Sequence, residues 1–280
     1  MDSAAAWKQF YRSERDRLGL ASLQALVDAA DPLDVKPGTG AVVVPHTRIE
    51  VTGGQIARAV ATVLDSGADR VLALGVLHGA RRADRERVAA ARAGDADARR
   101  ELRGVHDERG LASEEFSLDG FTELLTSAAR RIGRSIDIVC RYPFLVGDEP
   151  DSLPGFDELE RLVSDGAFLI ATTDPIHHGH AYGTAADRCL DPDDAATIDL
   201  AETMIGEQLD ALVDHRFGAF QQLTASHQSD FRDTGPVTAS LLGAGFTHEI
   251  DDLALVDYSS ALEAETPSWV AGALITMSTP

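Results

Sequence analysis

The stretch that decides the fold is AlaValValValPro at 41–45, followed by ThrGlyGlyGlnIleAlaArgAlaValAlaThrValLeu at 52–64 and ArgValLeuAlaLeuGlyVal at 70–76. The first and third runs are short, apolar and rich in valine and leucine, the pattern of strands buried on both faces in a parallel sheet. The middle run repeats its apolar residues three and four apart, as a helix does. Strand, helix and strand in fewer than 40 residues make a βαβ unit. In such sheets the chemistry gathers beyond the carboxyl ends of the strands.

Outward from this unit, Trp7, Phe10, Tyr11, Leu18, Leu23, Leu26 and Val27 predict helix over 5–30, broken near Gly19. Further strands are expected at 135–141, 167–172, 252–258 and 269–277. Helices are expected at 117–131, 155–164 and 193–213, with another opening at ThrGlyPro, 234–236. Between 79 and 112 the chain turns to alanine, arginine and acids with almost no large apolar residue. That composition predicts an exposed, mobile, helical excursion over the sheet edge or a site mouth. No repeat or linker divides the sequence. The expectation is one α/β domain over 1–280, a mainly parallel mixed sheet with helices on both faces and an antiparallel pair near the C-terminus.

A composition of 44% hydrophobic and 25% charged residues excludes disorder, collagen and coiled coil. The net charge of −21 argues against nucleic acid or an anionic membrane as partner. Expected partners are a small-molecule substrate and, as an option, further copies of the chain. Only Lys8 and Lys36 are lysines, so 23 of the 25 basic residues are arginines, forks suited to carboxylates, though codon usage gives the same bias. Cys140 and Cys189 are too few for a disulfide scaffold. With no leader-like N-terminus and no run of about 18 apolar residues, a cytoplasmic location is expected.

Three of the nine histidines stand where a parallel sheet presents side chains to a site. His46 ends ValValValProHis, His78 ends LeuGlyValLeuHis, and His177 lies in ThrThrAspProIleHisHisGlyHis. Imidazoles on adjacent strand ends suit a borderline metal such as iron, copper or zinc. HisHisGlyHis lacks the helical spacing of a zincin, and adjacent residues of an extended segment point opposite ways, so only His177 of the three is assigned to chemistry. Asp174 is expected to orient an imidazole by accepting its second N–H.

These segments, with GlyProValThrAlaSerLeuLeu at 235–242, AspTyrSerSer at 257–260 and the terminal SerTrpValAlaGlyAlaLeu, resemble the Memo-like family, whose fold is shared with class III extradiol, LigB-type, dioxygenases. The resemblance implies one metal held by His46, His78 and a third ligand just before the GlyPro helix, with His177 poised as acid, base or substrate contact. The chain departs from the family pattern in three places. It reads LeuHisGly where the family has SerHisHis, Phe116 where a family histidine stands, and SerAspPheArgAspThrGlyPro where the family places a cysteine.

Arg232 falls at the cysteine position and cannot bind metal, because it stays protonated. Asp230 and Asp233 flank it, and either would complete two histidines and a carboxylate, a set that favours non-haem Fe(II). Asp233 is preferred, being nearer the helix N-terminus. Arg48 and Arg232 are candidates for a substrate carboxylate, and Tyr258 is either core or a pocket wall. The expected function is an Fe(II) and O2-using oxidoreductase acting on a small aromatic or phenolic acid, with His177 moving the proton. The alternatives are a metal hydrolase, with copper or zinc as other metals, and a non-catalytic scaffold.

Overall fold

A computed structural model describes residues 4–79 and 84–280. Helices α1 (Ala4–Leu18) and α2 (Leu20–Ala29) break at Gly19, which adopts φ 77°, a value that favours glycine. Strand β1 (Gly40–Val44), helix α3 (Ile49–Asp65) and strand β2 (Arg70–Leu74) form the deciding unit. Next come α4 (Arg85–Arg92), α5 (Ala96–Leu102), β3 (Gly104–His106), α6 (Asp119–Arg131), β4 (Asp137–Phe144), α7 (Phe156–Ser164), β5 (Phe168–Thr172) and β6 (Ile176–Gly179). The chain closes with α8 (Ala195–Val213), α9 (Phe217–Ser226), α10 (Phe231–Leu242), β7 (Thr247–Asp257), α11 (Ser259–Leu262) and β8 (Ser268–Ser278).

The sheet runs β3-β4-β2-β5-β1-β8-β6, with β7 along the other edge of β8. Strands β4, β2, β5 and β1 are parallel, while β3, β6, β7 and β8 all join antiparallel. The sheet is therefore more mixed than expected, a parallel centre with antiparallel flanks. Alternate residues of the central strands feed two cores, as a period of two requires. Val42, Val44, Val71, Ala73, Phe168 and Ile170 pack under α2, α3 and α6. Ala41, Val43, Leu72, Leu74, Leu169 and Ala171 pack under α7, α8 and α10. Full burial of each valine or leucine is worth about 1.5–3 kcal/mol, which is why polar residues in β2 and β5 are confined to the strand ends, at Arg70 and Thr172.

Two expectations change. The 79–112 excursion is helical, but it buries Val88, Ala91, Ala98, Leu102, Leu111 and Ala112 into the first core and ends in the edge strand β3; its residues 80–83 lie outside the described residues. The helix expected to open at 234–236 opens at Phe231, with Pro236 inside it. Proline removes the N–H that would reach the Arg232 carbonyl. The Gln221 side-chain amide donates to that carbonyl instead, at 2.7 Å. Among the described residues no helix is long and apolar enough to cross a membrane.

Candidate metal centre

The parallel strands deliver their carboxyl ends to one place. His46 follows β1 through Pro45, His78 follows β2, Asp174 follows β5, and β6 carries His177. Asp230 immediately precedes α10, which is tied to the end of β5 where Thr234 Oγ1 donates to the Thr172 carbonyl at 3.1 Å. The Asp230 amide also donates to the Asp174 carbonyl at 3.2 Å.

The side chains converge. His46 Nε2 lies 3.1 Å from His78 Nε2, and His78 Nε2 lies 3.1 Å from Asp230 Oδ2. Asp230 Oδ2 is 3.6 Å from His46 Nε2 and 3.5 Å from His177 Nε2, and Asp174 Oδ2 is 3.5 Å from His46 Nε2. Ligand atoms about 2.1 Å from a common first-row ion and roughly 90–110° apart stand about 3.0–3.4 Å from one another. Two of the three edges among His46, His78 and Asp230, each 3.1 Å, sit at that spacing and the third, 3.6 Å, is slightly longer, so the set suits a single ion.

Hydrogen bonds at the far side of each ring set the tautomers. His46 Nδ1 meets Thr172 Oγ1 at 3.1 Å, and that hydroxyl already donates to the Val44 carbonyl, so Nδ1 must be the donor. His78 Nδ1 donates to Glu115 Oε1 at 3.1 Å, and His177 Nδ1 donates to the Gln228 carbonyl at 2.8 Å. With Nδ1 as the donor in each, the neutral form of all three rings aims an Nε2 lone pair at the same space. A proton there serves two or three acceptors at best, whereas a cation serves all of them.

The charges agree. Burial disfavours a charged His78, yet Glu115 and Asp230 outweigh it and hold its pKa well above the usual histidine value. Burial likewise opposes ionisation of Asp230, but His177 and His78 hold its carboxyl well below the ordinary range. Asp174 moves the other way, because burial pushes its carboxyl up more than His46 and His177 pull it down. The centre is thus a pocket of negative charge and lone pairs that favours positive charge.

The structure redistributes the expected roles. Asp230, not Asp233, meets the histidines. Asp233 lies in the first turn of α10, half-buried, where Oδ1 accepts the Val146 amide at 2.9 Å and desolvation pushes its carboxyl up. Arg48 is not a pocket residue, since its guanidinium pairs with Glu14 and Glu50 on the α1 and α3 side. Among the described residues Asp174 accepts no hydrogen bond at the far side of an imidazole; Oδ1 accepts the His46 backbone amide at 3.2 Å, and Oδ2 faces the cluster, 3.5 Å from His46 Nε2. His178 turns away and stacks on Trp269, as an extended segment requires.

Tyr258 is a buried pocket wall. Its hydroxyl bridges Thr47 Oγ1 at 2.6 Å and the Tyr11 hydroxyl at 2.8 Å. With Trp7, Tyr11, Phe116 and Tyr182 it walls a cavity of about 270 Å³ that opens on the cluster. Phe116 stacks on the His78 ring, centroids 4.8 Å apart. On the other side His78, Asp230 and Arg232 border a second cavity of about 530 Å³.

Sequence reasoning missed Glu115, the fully buried carboxylate that accepts from both the ring and the backbone of His78. Its signal was an acid beside Phe116 in GluGluPheSer, a position where a buried aromatic leaves no water to solvate a carboxylate. No family model matches the chain, and no curated protein matches it. The reading of this site therefore rests on its geometry.

Proposed function

We propose that the chain is a mononuclear metal enzyme, holding Fe(II) on His46, His78 and Asp230 and using O2 on a small aromatic or phenolic acid. The observation that carries this reading is the convergence of two Nε2 lone pairs and one carboxylate oxygen at 3.1–3.6 Å, a two-histidine, one-carboxylate set with an open side. Ferrous iron in such a set supplies the one-electron chemistry that O2 needs to react with a closed-shell organic molecule.

The residues around the set have separate tasks. The aromatic cavity takes a flat ring and excludes water from the buried His46 and Asp174. His177, its Nδ1–H held by the Gln228 carbonyl, offers Nε2 to accept the proton of a substrate hydroxyl. Asp174 Oδ2 stands beside the same space with a carboxyl that burial makes more basic, a second place to hold that proton.

That second base also favours another reading, a zinc hydrolase in which Asp174 or His177 takes a proton from water. Anaerobic loading with Fe(II) followed by oxygen-uptake screening of phenolic acids tests the first reading. Uptake that is lost in His46→Ala supports it. Retention of zinc in place of iron, with ester or amide hydrolysis and no uptake, supports the second. No bound metal of any kind contradicts both.

A further inference from the structure

The second cavity is out of character for this protein. In a chain of net charge −21, three arginines line one pocket, Arg92 from α4, Arg99 from α5 and Arg232 from α10, and the same pocket is bordered by His78 and Asp230. None of the three is held in an ion pair among the described residues. Arg92 donates to the Leu77 carbonyl at 3.0 Å and lies over the Phe144 ring, which fixes its stem without neutralising its charge. Elsewhere the arginines Arg15, Arg17, Arg48, Arg131 and Arg141 are each paired with a carboxylate.

Two acids share the pocket, and neither satisfies the forks. Asp230 is turned to the histidines, and Asp233 gives Oδ1 to the Val146 amide; desolvation pushes the Asp233 carboxyl up more than the three arginines pull it down, and none of them forms a close ion pair with it. One carboxylate against three guanidinium forks leaves the pocket with an excess of positive charge, so an anion between them is favoured. Gln221 and Gln228 at the rim add neutral polar groups.

We propose that Arg92, Arg99 and Arg232 form an oxyanion subsite that grips the carboxylate or phosphate of a substrate whose other end reaches the His46, His78 and Asp230 cluster. This rests on the metal-enzyme reading, and it adds the substrate class: a two-ended molecule, with a flat hydroxylated head in the aromatic cavity and an anionic tail in the arginine cavity. Sequence reading gave this task to Arg48 and Arg232; the fold replaces Arg48 with two arginines from the charged excursion, so that segment supplies half of a binding site.

The test titrates the full-length, metal-loaded protein with inorganic phosphate and with benzoate by calorimetry, in low salt, against Arg99→Gln, Arg232→Gln and the double variant. Metal content is measured in each, so loss of the metal reading is seen separately. The expected result is saturable binding of at least one anion, weakened about tenfold or more by each substitution with metal content unchanged. Arg99→Lys should recover only part of it, because lysine lacks the planar fork. Tighter phosphate binding names a phosphorylated substrate, and tighter benzoate binding an aryl carboxylate. No binding of either anion, or equal binding by wild type and the double variant while the metal stays bound, overturns the subsite.

Discussion

Replacing Glu115 with glutamine separates a structural acid from a positioning one. In the native chain Oε1 accepts from His78 Nδ1 and from the Phe116 and Ser117 amides, at 3.1, 2.8 and 3.1 Å. Oε2 accepts the His78 and Gly79 amides at 2.6 and 3.3 Å. An amide NH2 in either position faces donors only, so at least two buried or half-buried N–H groups lose their acceptor. At about 1–3 kcal/mol for each unmet donor, Glu115→Gln costs roughly 3–5 kcal/mol. In a protein of this size that is on the order of 10 °C in melting temperature. Metal affinity should fall about 10–100-fold, because the carboxylate that orients His78 is gone.

The pH dependence follows from the same contacts. Burial opposes ionisation of Glu115, but His78 and the backbone amides outweigh it and hold the carboxyl below its usual range. Its stabilisation is therefore complete above the unfolded value of about 4.3 and is lost as pH falls through the lower folded value. The gap in melting temperature between wild type and variant should narrow below about pH 4. Calorimetric melts with and without metal across pH read all three quantities. A variant melting within about 2 °C of wild type, with unchanged metal affinity, would refute the reasoning.

Asp230→Asn should abolish metal retention, whereas Asp233→Asn, which keeps an oxygen for the Val146 amide, should leave the metal content of the purified protein unchanged. Tyr258→Phe strips a shared partner from Thr47 and Tyr11 and should cost about 1–3 kcal/mol in urea unfolding, without loss of metal. Burial, with Glu108 adding to it, pushes the Cys140 thiol up to about 12, so native protein should resist thiol reagents at that residue at pH 8 and react there only on unfolding, as peptide mapping will show.

The strand-end histidines were legible because valine and leucine runs such as 41–45 and 70–76 admit one placement, the middle of a sheet, and their carboxyl ends follow directly. The carboxylate that meets them was not. Proline favours the first turn of a helix, so Pro236 argued for an opening at 234, and that choice put Asp233 at the N-terminus. The helix starts at Phe231 because that ring is wholly buried against Phe220, and Gln221 answers the carbonyl that proline leaves free. Strand β6 is four residues of isoleucine, histidine and glycine whose strand character comes from pairing with β8, which no local pattern announces. Arg48 was placed in the pocket by its nearness to His46 in sequence, yet it stands just before α3, where its guanidinium is held by Glu14 and Glu50.

The central claim is that His46, His78 and Asp230 hold one metal ion. Protein loaded with Fe(II) without oxygen, freed of excess metal by gel filtration and analysed by mass spectrometry for metal per chain, tests it directly. The account predicts about one ion per chain in wild type and almost none in His46→Ala, His78→Ala and Asp230→Ala, each still folded by circular dichroism. Wild-type protein that retains neither iron nor zinc, or variants that retain as much as wild type, would contradict it.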